Sequence, residues 1–159
     1  MAVWAFAGDV HYEASAVVKA TLEATYLAYA DFESMSKWSK QASAVRILEK
    51  EGDTIWLEVE AVSGGGTRKV TSELRLHPPE SVESDGETRF TRTKRTVSFV
   101  EVPGGTKVTA SLDVNMKGKW GWILRAHGKA DVESSASEEL ASFANYVEGL
   151  AQVPAPSAD

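Results

Sequence analysis

The chain has 159 residues, with 17 basic and 23 acidic side chains giving a formal net charge of −6, and it contains no cysteine. That length allows one domain with a substantial buried core. The acidic balance argues against a sequence-independent grip on nucleic acid or anionic lipid, since both need a basic surface to displace counterions. Lack of cysteine removes disulfides, thiol nucleophiles and thiolate metal sites together, as is ordinary in a reducing cytosol.

Residues 1–8 are apolar, but they lack a basic flank and are too short for a signal core or a membrane span. A soluble cytoplasmic protein without an integral membrane segment is expected. A single domain should cover residues 1–151, with 152–159, which carry two prolines and small residues, as a flexible tail. Next, Val10, Tyr12, Ala14, Ala16 and Val18 alternate with polar neighbours, the pattern of a half-buried strand. Thr21 can cap a short helix, with Glu23 in its favourable first turn and Leu22, Tyr26 and Tyr29 or Ala30 at helical spacing. Asp31 can cap a second helical turn that ends near Trp38.

The middle of the chain reads as a β meander. Val45 and Ile47 alternate; Ile55, Leu57, Val59 and Ala61 alternate against Trp56, Glu58 and Glu60; Val70, Ser72, Leu74 and Leu76 alternate against Thr71, Glu73 and Arg75. Gly64-Gly65-Gly66 supplies a turn, and His77-Pro78-Pro79 must leave the ladder because proline donates no hydrogen bond. A short strand over 81–84 would end at Asp85-Gly86, a strong hairpin signal. Residues 89–102 then form one long strand of mixed phase, because Val97 and Phe99 favour one parity while Phe90, Val100 and Val102 favour the other, so a bulge is expected. In the last strand, 106–117, Val108, Ala110, Leu112, Val114 and Met116 share a face. A helix over about 129–151 closes the chain, its stripe running through Val132, Ala136, Leu140, Phe143, Val147 and Leu150.

Two stretches carry a family resemblance. Asp31-Phe32-Glu33-Ser34-Met35-Ser36-Lys37-Trp38 follows the first helix, and Pro103-Gly104-Gly105-Thr106-Lys107-Val108 forms a late hairpin. Together they resemble the START-like, or SRPBCC, superfamily of polyketide cyclases, lipid-transfer proteins and pollen-allergen relatives; Thr21 stands where many relatives carry proline. The resemblance implies an α+β helix-grip fold, in which a curved antiparallel sheet of about seven strands wraps a long C-terminal helix, with two short helices after strand one.

A sheet with one apolar face needs a cover, and the last helix is the one large candidate. Its first half offers small side chains, Ser135 and Ala136, and its second half Leu140 and Phe143. The volume argument therefore places a ligand cavity under the first half. The expected lining is Trp38, Ser72, Leu74, Phe99, Leu112, Val114 and Ala136, with Trp120 near the mouth. Trp38 has a competing reading as an anchor for the helix pair, which is preferred because large aromatics mostly serve packing. Lys119-Trp120-Gly121-Trp122-Ile123-Leu124-Arg125 reads either as a gate that touches membrane transiently or as a packed corner, and the corner is preferred.

The one dense basic stretch, 88–95, is expected to form a solvated charge ladder that pairs with Glu58 and Glu60. Should Arg95 share an inward face with Val97, it would enter the cavity and require a carboxylate or an anionic ligand. His11, His77 and His127 stand in no metal-ligand spacing, and neither a nucleophile elbow nor a phosphate loop is present. No cofactor, metal or catalytic residue is expected. The leading function is binding or transport of a hydrophobic small molecule such as a lipid, an isoprenoid or an aromatic, polyketide-like compound. The resemblance also implies two alternatives, a cyclase/aromatase-like enzyme and an interaction module serving a chaperone or membrane enzyme. Binding is preferred over catalysis because the strands of clear phase offer no inward carboxylate or histidine to act as acid or base.

Overall fold

The computed structural model describes residues 9–40, 42–63, 66–87, 91–116 and 129–152. Seven strands form one antiparallel sheet: β1 (Asp9–Val18), β2 (Ala42–Glu51), β3 (Thr54–Ser63), β4 (Gly66–His77), β5 (Ser81–Glu87), β6 (Thr91–Val102) and β7 (Gly105–Met116). Their order across the sheet is β1-β7-β6-β5-β4-β3-β2, so the meander from β2 to β7 closes by pairing β7 with the first strand. Helix α1 (Leu22–Ala30) and a 3₁₀ helix (Phe32–Lys37) follow β1, and helix α2 (Lys129–Gln152) lies in the curve of the sheet. This is the helix-grip arrangement. The tail over 153–159 and the segment holding Trp120 and Trp122 lie outside the described residues.

Local chemistry accounts for the joints. Thr21 caps α1 by accepting from the Ala24 N–H at 3.2 Å, whereas the Asp31 carboxylate accepts from the Ser34 hydroxyl at 2.7 Å and leaves the backbone of the 3₁₀ turn uncapped by a side chain. At the β6–β7 hairpin, Gly104 takes a φ of 88°, open to glycine at no steric cost. A Cβ on Gly105 would run into the Val18 carbonyl, so glycine lets this hairpin close against the end of β1. The Thr106 hydroxyl completes that junction by donating to the Ala20 carbonyl at 2.9 Å.

The core forms where inward rows of the sheet meet the helices. Tyr12, Ala14 and Val18 of β1, Val97 and Phe99 of β6, and Val108 and Ala110 of β7 are buried beside Leu140, Phe143 and Val147 of α2. An aromatic cluster ties α1 to both layers: Tyr29 lies edge-on to Phe99 at 5.6 Å and to Phe143 at 5.5 Å, and Trp38 stacks at a tilt on Phe143 at 4.9 Å. Fully burying each such side chain contributes about 1.5–3 kcal/mol.

Several expectations are corrected. Asp85-Gly86 is no turn: both residues lie inside β5, Asp85 opposite Glu73 and Lys94, Gly86 opposite Ser72 and Thr93. The Asp85 carboxylate accepts from Arg75 Nη2 at 3.0 Å, an attachment that a chain reversal would break. No bulge interrupts β6, whose register with β7 is continuous from Thr91 to Val102; the irregularities fall in β2 instead. Val97 and Phe99 define the inner face of β6, and Val100 is exposed. Glu58 pairs with Arg46 and Lys69 from the strands beside it, because β6 is three positions away from β3. Leu150 does not join the helix stripe and is half exposed.

Candidate functional site

A cavity of about 220 Å³ lies between the concave sheet and its helical cover. Leu57, Val59, Val70 and Leu74 give it apolar walls, and Ser72 and Ser84 lie among them on β4 and β5. Tyr29, Met35 and Ser39 approach from the helical side. The space exists because small residues meet across the register. Gly86 sits opposite Ser72, and a Cβ on Gly86 would stand 3.2 Å from the Ser72 hydroxyl. Side chains of larger volume at these positions would fill the gap.

One end of the cavity is charged. Register places Arg95 between Ser84 and Leu112, on the same face as Val97 and Phe99. Its Nη2 donates to Glu139 Oε2 at 3.2 Å, and the Ser39 hydroxyl donates to Glu139 Oε1 at 2.9 Å. The Arg95 side chain is 23% exposed and that of Glu139 8%. Arg95 therefore does not join a solvated ladder; the carboxylate that an inward guanidinium requires comes from the last helix. Arg95 Nε is buried without a hydrogen-bond partner among the described residues. Burial works against the Arg95 charge, but the nearby Tyr29 and Glu139 outweigh it and leave the guanidinium pKa raised. Burial likewise pushes the Tyr29 phenol upward, with Arg95 opposing and Glu139 adding to the rise. A buried ion pair seldom stabilises more than well-packed apolar side chains would. Its effect here is to hold a fixed dipole at one end of an apolar space.

Of the residues expected to line a pocket, Ser72 and Leu74 are on the cavity wall. Trp38, Phe99 and Ala136 are buried in the adjoining core and are not among the wall residues. Leu112 is partly buried against the core as the cross-strand neighbour of Arg95, while Val114 sits half-buried opposite Thr93; neither is on the wall. Trp120 lies outside the described residues. Sequence reasoning missed Glu139 and held an inward Arg95 only as the alternative to a solvated ladder. Glu139 had a legible signal, three residues after Ala136 and four before Phe143, on the buried stripe; Arg95 shares the parity of Val97 and Phe99, but the mixed phase of its strand left the inward face open.

A second depression, of about 700 Å³, opens between α1 and the strand ends around the β2–β3, β4–β5 and β6–β7 turns, lined by Leu22, Tyr26, Leu27, Ile55, Leu76 and the Pro78-Pro79 turn. Its charged members, Glu23, Lys50 and Glu101, are all exposed. Although larger, it holds no buried ion pair and lacks the cover of α2, so the smaller cavity is the better candidate site.

The family described as polyketide cyclase / dehydrase and lipid transport matches residues 9–148. The chain belongs to that family, within the START-like superfamily. No curated protein matches it in sequence. Among solved structures, TTHA0849 from Thermus thermophilus is similar at 18% identity and a TM-score of 0.80, covering 90% of this chain and 100% of its own. The Zhui aromatase/cyclase from Streptomyces sp. R1128 is similar at 16% identity and a TM-score of 0.80, covering 91% of this chain and 97% of its own. Ara h 8.0201 is similar at 17% identity and a TM-score of 0.70, covering 89% of this chain and 99% of its own. At such identities these likenesses establish the fold. Among the described residues, no helix is long and apolar enough to cross a membrane.

Proposed function

We propose that this protein binds a hydrophobic small molecule in the cavity between α2 and the sheet, holding or carrying it within the reducing cytoplasm that suits a cysteine-free chain. The observation that carries this reading is the cavity itself, mostly apolar on its walls and with the Arg95–Glu139 pair in its lining. Such a combination, an apolar space with few placed polar groups, is what small-molecule sites share. The family description, which spans cyclases, dehydrases and lipid transport, supports hydrophobic ligand binding or cyclase activity alike.

A cyclase-like reaction is the second reading, favoured by the presence of a carboxylate and a phenol at the cavity end. Glu139, however, accepts from Ser39 with one oxygen and from Arg95 with the other, so both of its oxygens already have partners within the protein. That engagement favours binding. The test is a fluorescence titration with naphthalene, comparing the chain as it stands with Ser72→Phe. Uptake by the former and a loss of at least about tenfold in the variant, with an unchanged melting temperature, is the expected result. Equal uptake by both, or none by the unaltered chain, would remove the reading. Recovery of a chemically altered product from a supplied ligand would favour the enzyme.

A further inference from the structure

We infer that the molecule taken by this cavity is uncharged, about one or two rings in size, and bears an oxygen that accepts from the Arg95 guanidinium, while carboxylates are turned away. This rests on the binding reading above and adds the chemistry of the ligand. Size comes first: 220 Å³ equals about seven water volumes at about 30 Å³ each, and lies below the ~300–1,000 Å³ of most ligand pockets. A compact ring system fills such a space, which is too small to enclose the whole of a long acyl chain.

Donor chemistry comes next. A guanidinium has five N–H donors and no acceptor. Glu139 takes a hydrogen bond from Nη2, and Nε remains buried without a partner among the described residues. Nε itself has almost no surface that a ligand could touch, so a ligand oxygen at this end of the cavity pairs with the guanidinium N–H groups on the 23% of the side chain that stays exposed. Ser84, the cross-strand neighbour of Arg95, adds a hydroxyl on the same wall that can donate or accept.

Charge decides between oxygen types. Were Arg95 alone, an anion would be the natural occupant. Glu139 already matches its charge, and hydrogen bonds to Ser39 and Arg95 hold both carboxylate oxygens in place. Arg95 is the one cation among the described wall residues, so a second carboxylate would shed its water beside Glu139 with no further cation to receive it. A ketone, ester, phenol or alcohol oxygen incurs no such cost.

Calorimetric titration of the full chain with three bicyclic molecules of similar size tests the inference: 1-tetralone has a carbonyl, tetralin has no acceptor, and 1-naphthoate has a carboxylate. Tetralone should bind about tenfold more tightly than tetralin, and naphthoate more weakly than either. Arg95→Met should abolish the advantage of tetralone, and Glu139→Gln, by uncovering the Arg95 charge, should raise naphthoate affinity about tenfold. The three-ligand comparison on the unaltered chain stands by itself if either variant fails to fold. Tetralin binding as tightly as tetralone overturns the acceptor inference and leaves the binding reading standing. Naphthoate binding more tightly than tetralone overturns the charge argument alone, and failure of all three to bind removes both the reading and the inference.

Discussion

One turn of α2 separates two unlike regions of the molecule. At Phe143 the helix meets the rings of Tyr29 and Trp38 and is fully buried. At Glu139 the same helix faces a hollow, floored by Ser72 and Ser84 and bounded by Arg95. Helix and sheet are continuous through both regions, so backbone geometry does not make the difference. Side-chain volume does: aromatic rings fill the gap between helix and sheet at one level, and serine opposite glycine leaves it open at the next. The polar pair then occurs where packing is absent, since a charged group can be accommodated beside a cavity and not within an interlocked core.

The strongest way to break this comparison is at the packed end. Phe143→Ala should destabilise the fold by about 3–5 kcal/mol in a urea titration, because it empties the centre of the aromatic cluster. A change near zero would mean that the packed and hollow regions do not differ as described. At the hollow end, Glu139→Leu leaves the Arg95 guanidinium partly buried and unpaired. We expect a loss of about 2–3 kcal/mol, below the full cost for a completely buried pair because 23% of the Arg95 side chain is exposed. The double variant Arg95→Met with Glu139→Leu should return to within about 1 kcal/mol of the starting stability. Additive losses in that double-mutant cycle would show that the two side chains do not act as a pair.

Titration sharpens the contrast further. Burial holds the Tyr29 phenol above its ordinary value of 10.0 in the folded chain. An unfolded chain therefore loses this proton first, so the associated stability is fully present below about pH 10 and is lost as pH rises toward the folded pKa. Tyr29→Phe should flatten the alkaline decline of the urea midpoint. Because Tyr12 and Tyr26 are also raised by burial, some slope will remain; an unchanged slope would show that Tyr29 is not the group responsible.

The smallest effect belongs to the outer surface, where His11 Nδ1 lies 2.8 Å from Asp113 Oδ1 across β1 and β7. The hydrogen bond to Asp113 raises the His11 pKa above 6.5, although the ring stays exposed. Stability from this pair is complete below about pH 6.5 and fades as pH rises through the folded value. His11→Gln should remove a shallow pH dependence that added salt also weakens. A salt-insensitive dependence would point to a buried group instead.

What the sequence determined by itself was set by local rules. Period-two alternation marked the strands, Thr21 and Glu23 marked the start of α1, and a residue stripe placed α2 within a residue or so of Lys129–Gln152. Those signals lie between near neighbours in the chain, so they can be read before any fold is known. The inner face of β6 could not, because Val97 and Val100 pull toward opposite parities until β5 and β7 fix the register. Asp85-Gly86 misled for a related reason: the dipeptide permits a turn, but pairing on both sides holds it in a strand.

Only the tertiary structure decided the candidate site. Ser39, Arg95 and Glu139 come from the segment after the 3₁₀ helix, from β6 and from α2, with 100 residues separating Ser39 from Glu139. No spacing rule links residues so far apart, and a lone charge in a periodic segment reads as solvated until its partner is known. Sheet curvature and the position of α2 bring the three together and shield them from most of the surrounding water, and that shielding turns an ordinary arginine and glutamate into the polar end of a cavity.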